Sequence, residues 1–314
     1  MKTKQSRQVF NLVIFAIFSA IILLLSLIPN IGYIRIGPVA ITIIHIPVLI
    51  GIMILPFAHA AGLGFVFGLS SLMASFIYGT TPMDMAFQNP LVSILPRVLF
   101  AVVAYLIFYA FRQIQKTKHG DTIIFSIISV ITVMFFFYGG LALANTINSE
   151  NQVLKDVLVP IFVGIGGILI GVYYFFIDSK KLKNTISIPS AIMLSTLFHT
   201  VIVLSAIGIF KSSALTDLGV GVMDLIKIVV GSNGFLEIIA GVVIATPISI
   251  ALINAFPEHI KLDINLKGEV QEWFYYLMLE ILVLKLDLLK VKISSKFFAL
   301  TPFLIWLRIY MPLN

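Results

Sequence analysis

Long apolar runs alternate with short polar connectors over the first 256 residues of the chain. Each run approaches or exceeds the ~20 residues that an α-helix needs to cross a bilayer. Strands of a membrane barrel would instead alternate apolar and polar residues over ~10 positions. The pattern predicts an all-α polytopic membrane helical bundle over residues 1–257, followed by a tail over residues 258–314. Its eight predicted spans are 9–29, 39–56, 60–79, 91–112, 122–145, 158–177, 188–210 and 232–256.

Composition excludes a soluble domain, because 60% of the residues are hydrophobic, 11% are charged and the mean hydropathy is +1.08. The chain contains no cysteine, so disulfides and thiolate chemistry are excluded. The first apolar run lacks a small-residue cleavage site and is interpreted as a retained span rather than a signal peptide. The formal charge of +7 is attributed to loop lysines, because no aromatic-rich basic patch suggests nucleic-acid binding.

Basic residues occur in alternate connectors, which sets the predicted orientation. They fall in residues 1–7, in 112–118 and in 180–183, whereas the connector NTINSENQVLKD between spans 5 and 6 is acidic or neutral. Because cytoplasmic loops are enriched in Lys and Arg, these connectors are predicted to be cytoplasmic. Eight spans then give a multi-pass cell-membrane protein with both termini in the cytoplasm. Seven or nine spans would place one basic cluster on the outside.

Four ionisable side chains lie inside predicted spans: His45, Arg97, His199 and Glu237. Such groups are costly in a membrane and suggest function. Spans 2, 4 and 8 run inward from the outer surface, so His45, Arg97 and Glu237 are expected about 8–9 Å below it. His199 is expected near the middle of its span. Two further polar residues, Asn89 and Asn233, lie just above this layer, which is the predicted substrate-binding region.

The sequence leaves several roles open for these residues. Pro96 frees a backbone carbonyl one turn before it, and such positions can line binding cavities. Arg97 could bind an anionic ligand, or it could pair with Glu237 and simply join two spans. Each histidine could contact a ligand or be a packed, hydrogen-bonded core residue. Alternatively, His45, His199 and Glu237 could form the proton relay of a secondary transporter for a small anionic metabolite.

Catalysis has little support in this sequence. It contains no HExxH, no GxSxG, no GxxxxGK[ST] and no paired aspartate motif for metal–diphosphate chemistry. We therefore predict a non-enzyme with no catalytic residues, no metal site and no cofactor. If transport by this protein consumes ATP, another chain must hydrolyse it.

Five sequence blocks carry a family resemblance. IPNIGYIRIGPVAITIIHIPVLIGIMI, GLGFVFGLSSLMAS and FQNPLVSILPRVLFAVVAYLIF occur in this order, and SAIMLSTLFHTVIVLSAIGIF and SNGFLEIIAGVVIATPISIAL follow near the end. This arrangement over residues 9–256 resembles the substrate-binding S component of energy-coupling factor (ECF) vitamin transporters. NPLVSILPR and HIPVLIG are the more specific blocks, and the rest is mostly hydrophobic pattern.

The resemblance implies a six-helix membrane protein that captures a vitamin outside the cell. It also implies partners, namely a membrane coupling subunit and two ABC ATPases. Family docking to the coupling subunit uses an AxxxA-type motif in span 1, which Ala16 and Ala20 match. The ligand contacts that the resemblance implies are Tyr33 and Arg35 in the 30–38 loop, Asn89 and Arg97, the His199 span, and Asn233 and Glu237. Spans 5 and 6 are two extra spans in the six-helix pattern.

The tail after Pro257 changes character and suggests a cargo. Residues 273–314 are apolar, studded with Lys and without a clean helical face. Codons back-translated from Glu272 and read one frame over can encode MVLLLDVGNTRVKIGLVK, which resembles the start of type III pantothenate kinases. Residues 273–314 are therefore predicted to be an out-of-frame extension into such a gene, with chance similarity as the alternative. A neighbouring pantothenate kinase gene favours pantothenate as the vitamin.

Overall fold

A computed structural model describes residues 4–28, 31–36, 39–148, 150–179, 185–211 and 234–256. The described chain confirms the predicted all-α polytopic bundle and adds one short hairpin. The elements, in chain order, are α1 Lys4–Leu27, β1 Tyr33–Ile36, β2 Val39–Thr42, α2 His45–Ile54, α3 Phe57–Tyr78, α4 Pro82–Ala86, α5 Pro90–Gln115, α6 Gly120–Asn148, α7 Gln152–Ser179, α8 Ser187–Phe210 and α9 Phe235–Ala255. The proposed out-of-frame tail and Asn233 lie outside the described residues.

Seven of these helices are long and apolar enough to cross a membrane. The predicted span 39–56 differs from its expected form, because it is not one continuous helix. Its first residues form β2, which pairs antiparallel with β1 in the register Tyr33 to Thr42. Its remainder is the ten-residue α2, which is about 15 Å long and half the thickness of the hydrocarbon layer. Every residue of α2 is buried, as expected for a helix that is apolar all round.

Contacts at the helix ends show that the hairpin and α2 together return the chain across the bundle. The Phe10 ring of α1 lies 5.3 Å from the Phe256 ring that follows α9. The start of α1 and the end of α9 therefore share one face of the bundle. At the opposite face, the Tyr78 hydroxyl at the end of α3 donates to the Leu27 carbonyl at the end of α1. Both ends of the described bundle lie on one side, as an even number of crossings requires.

Helices α3 and α5 pack closely through two glycines. A Cβ atom on Gly64 would lie 2.5 Å from Ala101 Cβ and 2.7 Å from Arg97 O. A Cβ atom on Gly68 would lie 2.6 Å from Ile94 Cα. The GFVFG stretch thus acts as a small-xxx-small packing motif, which lets two helix backbones approach each other. This packing fixes the part of α5 that carries Arg97.

Helices α6 and α7 form a hairpin at the side of the bundle. Gly140 of α6 packs on Phe162 of α7, and Gly166 of α7 packs on Phe136 of α6. The same Phe136 contacts Phe235 at the start of α9, with ring centroids 5.4 Å apart. Most of the surface of α7 is exposed, including Ile168 and Phe175. This arrangement agrees with two spans added to a six-helix core.

Substituting Gly68 with Ala should destabilise the bundle by about 1–3 kcal/mol, because the added methyl group collides with the α5 backbone. The matched control is Gly167→Ala on α7, where no atom lies within 4 Å of the added Cβ. Thermal unfolding in detergent, followed by circular dichroism, compares the two variants with the wild type. Equal midpoints for both variants would contradict the proposed α3–α5 contact.

Candidate functional site

Arg97 is held by a backbone defect in its own helix. Pro96 lacks an N–H group, so the carbonyl of Val92, four residues earlier, has no partner in the helical ladder. The Arg97 side chain fills that role, since its Nη1 donates to Val92 O at 2.6 Å. The proline and the arginine therefore act together, and the unpaired carbonyl fixes the direction of the guanidinium.

Aromatic rings from two elements surround the guanidinium. Its central carbon lies 4.7 Å from the centroid of the Phe87 ring and 5.7 Å from that of Phe67. Arg97 is only 5% exposed, and its buried Nε has no hydrogen-bond partner among the described residues. Cation–π contacts with desolvated rings contribute about 2 kcal/mol but leave N–H groups unpaired. Arg97 is therefore a buried cation that still has an N–H group available to donate a hydrogen bond.

Glu237 connects three elements at the end of the bundle that carries the hairpin. Its Oε1 accepts from the Thr42 backbone N–H at 2.8 Å, and its Oε2 lies 3.0 Å from the Thr200 hydroxyl. The carboxylate thereby ties β2 to α8 and α9. Within the described part of the chain, no ion pair joins Glu237 to Arg97, so the predicted alternative of a direct Arg97–Glu237 pair is absent. Arg97 and Glu237 are nevertheless close enough to interact electrostatically.

His45 and His199 face each other in the core. Their rings stack with centroids 5.6 Å apart and an interplanar angle of 17°, and Phe100 lies 4.7 Å from His199. Both residues are buried, and none of their four ring nitrogens has a hydrogen-bond partner in the described ranges. Among the described residues, no direct hydrogen bond joins either imidazole to Glu237. Nor do three metal-ligating side chains cluster anywhere among the described residues.

The structure places the other predicted contacts in different settings. Asn89 is the N-cap of α5, and its Oδ1 accepts from the Leu91 N–H at 3.0 Å. Tyr33 lies on β1, opposite Thr42 of β2. Arg35 pairs with Ala40 across the hairpin, but its side chain lies outside the described atoms. Asn233 is likewise outside the described residues.

Sequence reasoning missed three threonines in this region. Thr42 supplies the N–H that Glu237 accepts, and Thr200 supplies a hydroxyl. Thr196 lies one turn before Thr200 on α8 and is fully buried, with no hydrogen-bond partner for its hydroxyl in the described chain. The sequence STLFHT contained a pattern that could have identified two of them, because its two threonines lie four residues apart and share a helix face with His199.

Ala16 and Ala20, the predicted docking pair, lie on an exposed face of α1. Large apolar side chains flank them on the same helix and are also exposed: Leu12, Val13, Ile17, Ile21 and Leu24. The helix therefore presents a flat alanine patch bordered by longer side chains. Such a face allows close approach of a second membrane helix.

A lateral cleft of about 790 Å³ lies away from the polar cluster. Helices α6, α7, α8 and α9 form its walls, with Phe135, Leu169, Leu197 and Val243 among the lining residues. Its lining is almost entirely apolar and belongs to membrane-spanning helices. This cleft suits hydrocarbon and offers little to a polar solute.

The buried polar cluster combines one guanidinium, one carboxyl group, two imidazoles and two hydroxyls between aromatic side chains. It consists of Arg97, His45, His199, Thr196, Thr200 and Glu237. Nearly all buried polar groups in proteins have hydrogen-bond partners, and the unpaired ones in this cluster are able to donate to or accept from a bound molecule. The cluster can bind a small anion that also carries neutral polar groups.

Residues 10–155 match the family model "ECF transporter, substrate-specific component". The chain is also 35% identical over 141 residues to the pantothenate transporter PanT of Leuconostoc mesenteroides subsp. mesenteroides. That alignment covers 43% of this chain and 64% of the relative, so the chain spans slightly less than two thirds of the relative's length. These matches confirm the family resemblance found in the sequence.

Replacing Glu237 with Ala should lower the free energy of unfolding by about 1–3 kcal/mol, because the Thr42 N–H loses its acceptor and the Thr200 hydroxyl keeps only the Thr196 carbonyl. Glu237→Gln keeps a carbonyl acceptor for one of them and should recover part of that loss. Thermal unfolding in detergent measures both variants. An alanine variant as stable as the wild type would show that Glu237 does not hold the hairpin.

Proposed function

We propose that this chain, whose residues 10–155 carry the substrate-specific component domain of ECF transporters, is the vitamin-capturing subunit of an ECF-type importer. It binds its vitamin at the outer half of the membrane and performs no chemistry on it. Partner subunits hydrolyse ATP, and the vitamin is then released inside. The orientation with both termini in the cytoplasm follows from the basic connectors.

The observation that carries this proposal is the state of Arg97. A buried guanidinium without a paired acid is unfavourable in a membrane unless it meets an anion. The Val92 carbonyl and two aromatic rings hold it in place without neutralising it. A ligand carboxylate would supply the missing charge and occupy the free Nε. Arg97 is thus assigned to the anionic end of the substrate.

Pantothenate is the cargo that we favour. It is a small molecule with one carboxylate, two hydroxyls and an amide, which suits a cluster of one cation and several neutral polar groups. A relative that is 35% identical over 141 residues is named a pantothenate transporter. The out-of-frame interpretation of the tail supports the same vitamin independently. We assign the carboxylate to Arg97 and the uncharged groups to the histidine side of the cluster.

Two features of the chain suggest its partners: the missing phosphate-binding motif and the exposed surface of α1. The chain contains no phosphate-binding GxxxxGK[ST] loop, so we assign ATP hydrolysis to partner subunits, the two ABC ATPases that the family resemblance implies. A membrane coupling subunit would connect them to this chain. We assign its docking surface to the exposed α1 face that contains Ala16 and Ala20. Docking on this face leaves the polar cluster unobstructed, since that cluster is formed by other helices.

Arg97→Ala should weaken pantothenate binding about 10- to 100-fold, because a hydrogen-bonded charge pair contributes about 1.5–3 kcal/mol. Isothermal titration of the purified full chain measures this, with riboflavin, thiamine, pyridoxine and folate as competing candidates. Arg112→Ala is the matched control, since Arg112 lies on the same helix over Phe108 at the other end. Unchanged affinity in folded Arg97→Ala would refute the assigned role of Arg97.

Replacing both Ala16 and Ala20 with Phe should abolish ATP-driven uptake and leave vitamin binding unchanged, because bulky side chains prevent close helix approach. The control is Ile168→Phe, a similarly exposed apolar position on α7. Uptake is measured in proteoliposomes that contain the coupling subunit and both ATPases. Uptake without those partners, driven by a proton gradient alone, would instead support the secondary-transporter alternative.

A further inference from the structure

The lateral cleft lies between the α6–α7 hairpin and the helices α8 and α9. Its volume is about 790 Å³, and its lining extends along α9 from Phe235 to Ala251. At 1.5 Å per residue this stretch is about 24 Å long, which exceeds the ~15 Å hydrocarbon thickness of one leaflet. The helices leave the cleft open, because α7 packs chiefly on α6, whereas α9 packs on α8 and α2. The cleft is therefore a long opening within the hydrocarbon layer.

The surface of the cleft is apolar along its whole length. Leu169 of α7 and Leu197 of α8 are among its lining residues. Ser129 and Thr246 also line it, but their hydroxyl oxygens are buried away from the open space. Apolar surface of this kind is stabilised by contact with hydrocarbon rather than with a polar solute. The occupant is therefore apolar over the length that enters the cleft.

A transmembrane helix is too thick for this cleft. An α-helix with its side chains is about 10 Å across, so a length of about 24 Å occupies about 1,900 Å³. The cleft has a volume of about 790 Å³, which is less than half of that. An extended hydrocarbon chain is much thinner than a helix and fits along the cleft. Size thus excludes a helix of a partner or of a second copy of this chain, and it favours an acyl chain.

Cations are concentrated at one end of the helices that line the cleft. Lys116 and Lys118 are exposed and directly precede α6, and the sequence contains three further lysines between residues 180 and 183, in the connector from α7 to α8. Asp121 in the first turn of α6 offsets one of these charges. Lysines beside a membrane surface attract the anionic headgroups of the cytoplasmic leaflet. The charge at this end of the cleft therefore complements a negatively charged headgroup.

We propose that the cleft holds an acyl chain of one anionic phospholipid from the cytoplasmic leaflet, with the headgroup at the basic end of α6. The acyl chain connects α7 to α9, two helices that pack on different neighbours. A lipid thus helps to hold the two added spans against the six-helix core. This site is separate from the polar cluster and does not depend on the identity of the vitamin.

Native mass spectrometry of the purified full chain tests this site, with equal amounts of phosphatidylglycerol and phosphatidylcholine added. The wild type should retain one phosphatidylglycerol molecule. Leu169→Trp places an indole ring in the cleft and should weaken that retention about tenfold, because the ring and the acyl chain compete for the same space. Ile168→Trp is the matched control, since Ile168 precedes Leu169 on α7, is 68% exposed and does not line the cleft. It should retain the lipid like the wild type.

A charge variant tests the position of the headgroup in the same measurement. Lys118→Gln removes one cation beside the start of α6 and should lower the preference for phosphatidylglycerol over phosphatidylcholine about fivefold. Lys155→Gln removes one cation near the start of α7, at the opposite end of the hairpin, and should leave the preference unchanged. Raising the salt concentration should reduce the preference of the wild type, because salt screens exposed charges.

Two results would overturn the proposal. Equal retention of phosphatidylglycerol by the wild type, by Leu169→Trp and by a second cleft variant, Leu197→Phe on α8, would show that the lipid binds elsewhere. Equal retention of both phospholipids by the wild type would indicate an adventitious lipid only. Circular dichroism checks that each variant is folded. Isothermal titration with pantothenate tests the proposed function separately, since the cleft variants should still bind the vitamin.

Discussion

The free-energy cost of an unpaired polar group in an apolar interior governs the half of the bundle that carries the hairpin. Pro96 removes one N–H from the α5 ladder, and Arg97 supplies the missing donor to Val92 O. That bond satisfies the backbone and points a cation into the core. Phe67 and Phe87 then stabilise the charge without pairing it. A local defect of one helix thus creates the electrostatic centre of the site.

The same need to pair buried polar groups explains why the second membrane crossing is not one continuous helix. The hairpin satisfies most of its backbone through its own ladder, and the Thr42 N–H at its end is satisfied by Glu237. A carboxylate from α9 therefore positions the strand that precedes α2. The consequence is functional, because β2 and α2 then bring His45 into contact with His199. The hairpin covers the adjacent end of the polar cluster, and through β2 it also positions His45.

Satisfied and unsatisfied groups lie side by side in this region. Thr200 and Glu237 complete each other, whereas Thr196 and the two histidines remain unpaired. The first set keeps the fold in place, and the second provides hydrogen-bonding capacity for a ligand. Proteins tolerate such incomplete pairing chiefly where function requires it. Two threonines one turn apart on α8 thus differ in their surroundings, since only the Thr200 hydroxyl has a partner among the described residues.

The sequence by itself determined the helical class, the seven long helices and the positions of four ionisable residues in apolar segments. Length, apolar character and charge are local properties, so they can be identified without knowing which helices touch. Only the tertiary structure decided that Glu237 pairs with Thr42 and Thr200 rather than with Arg97. It also decided that residues 39–56 form a strand and a short helix, and that Thr196 is unpaired. These facts depend on the distances between segments far apart in the chain, which no local pattern encodes.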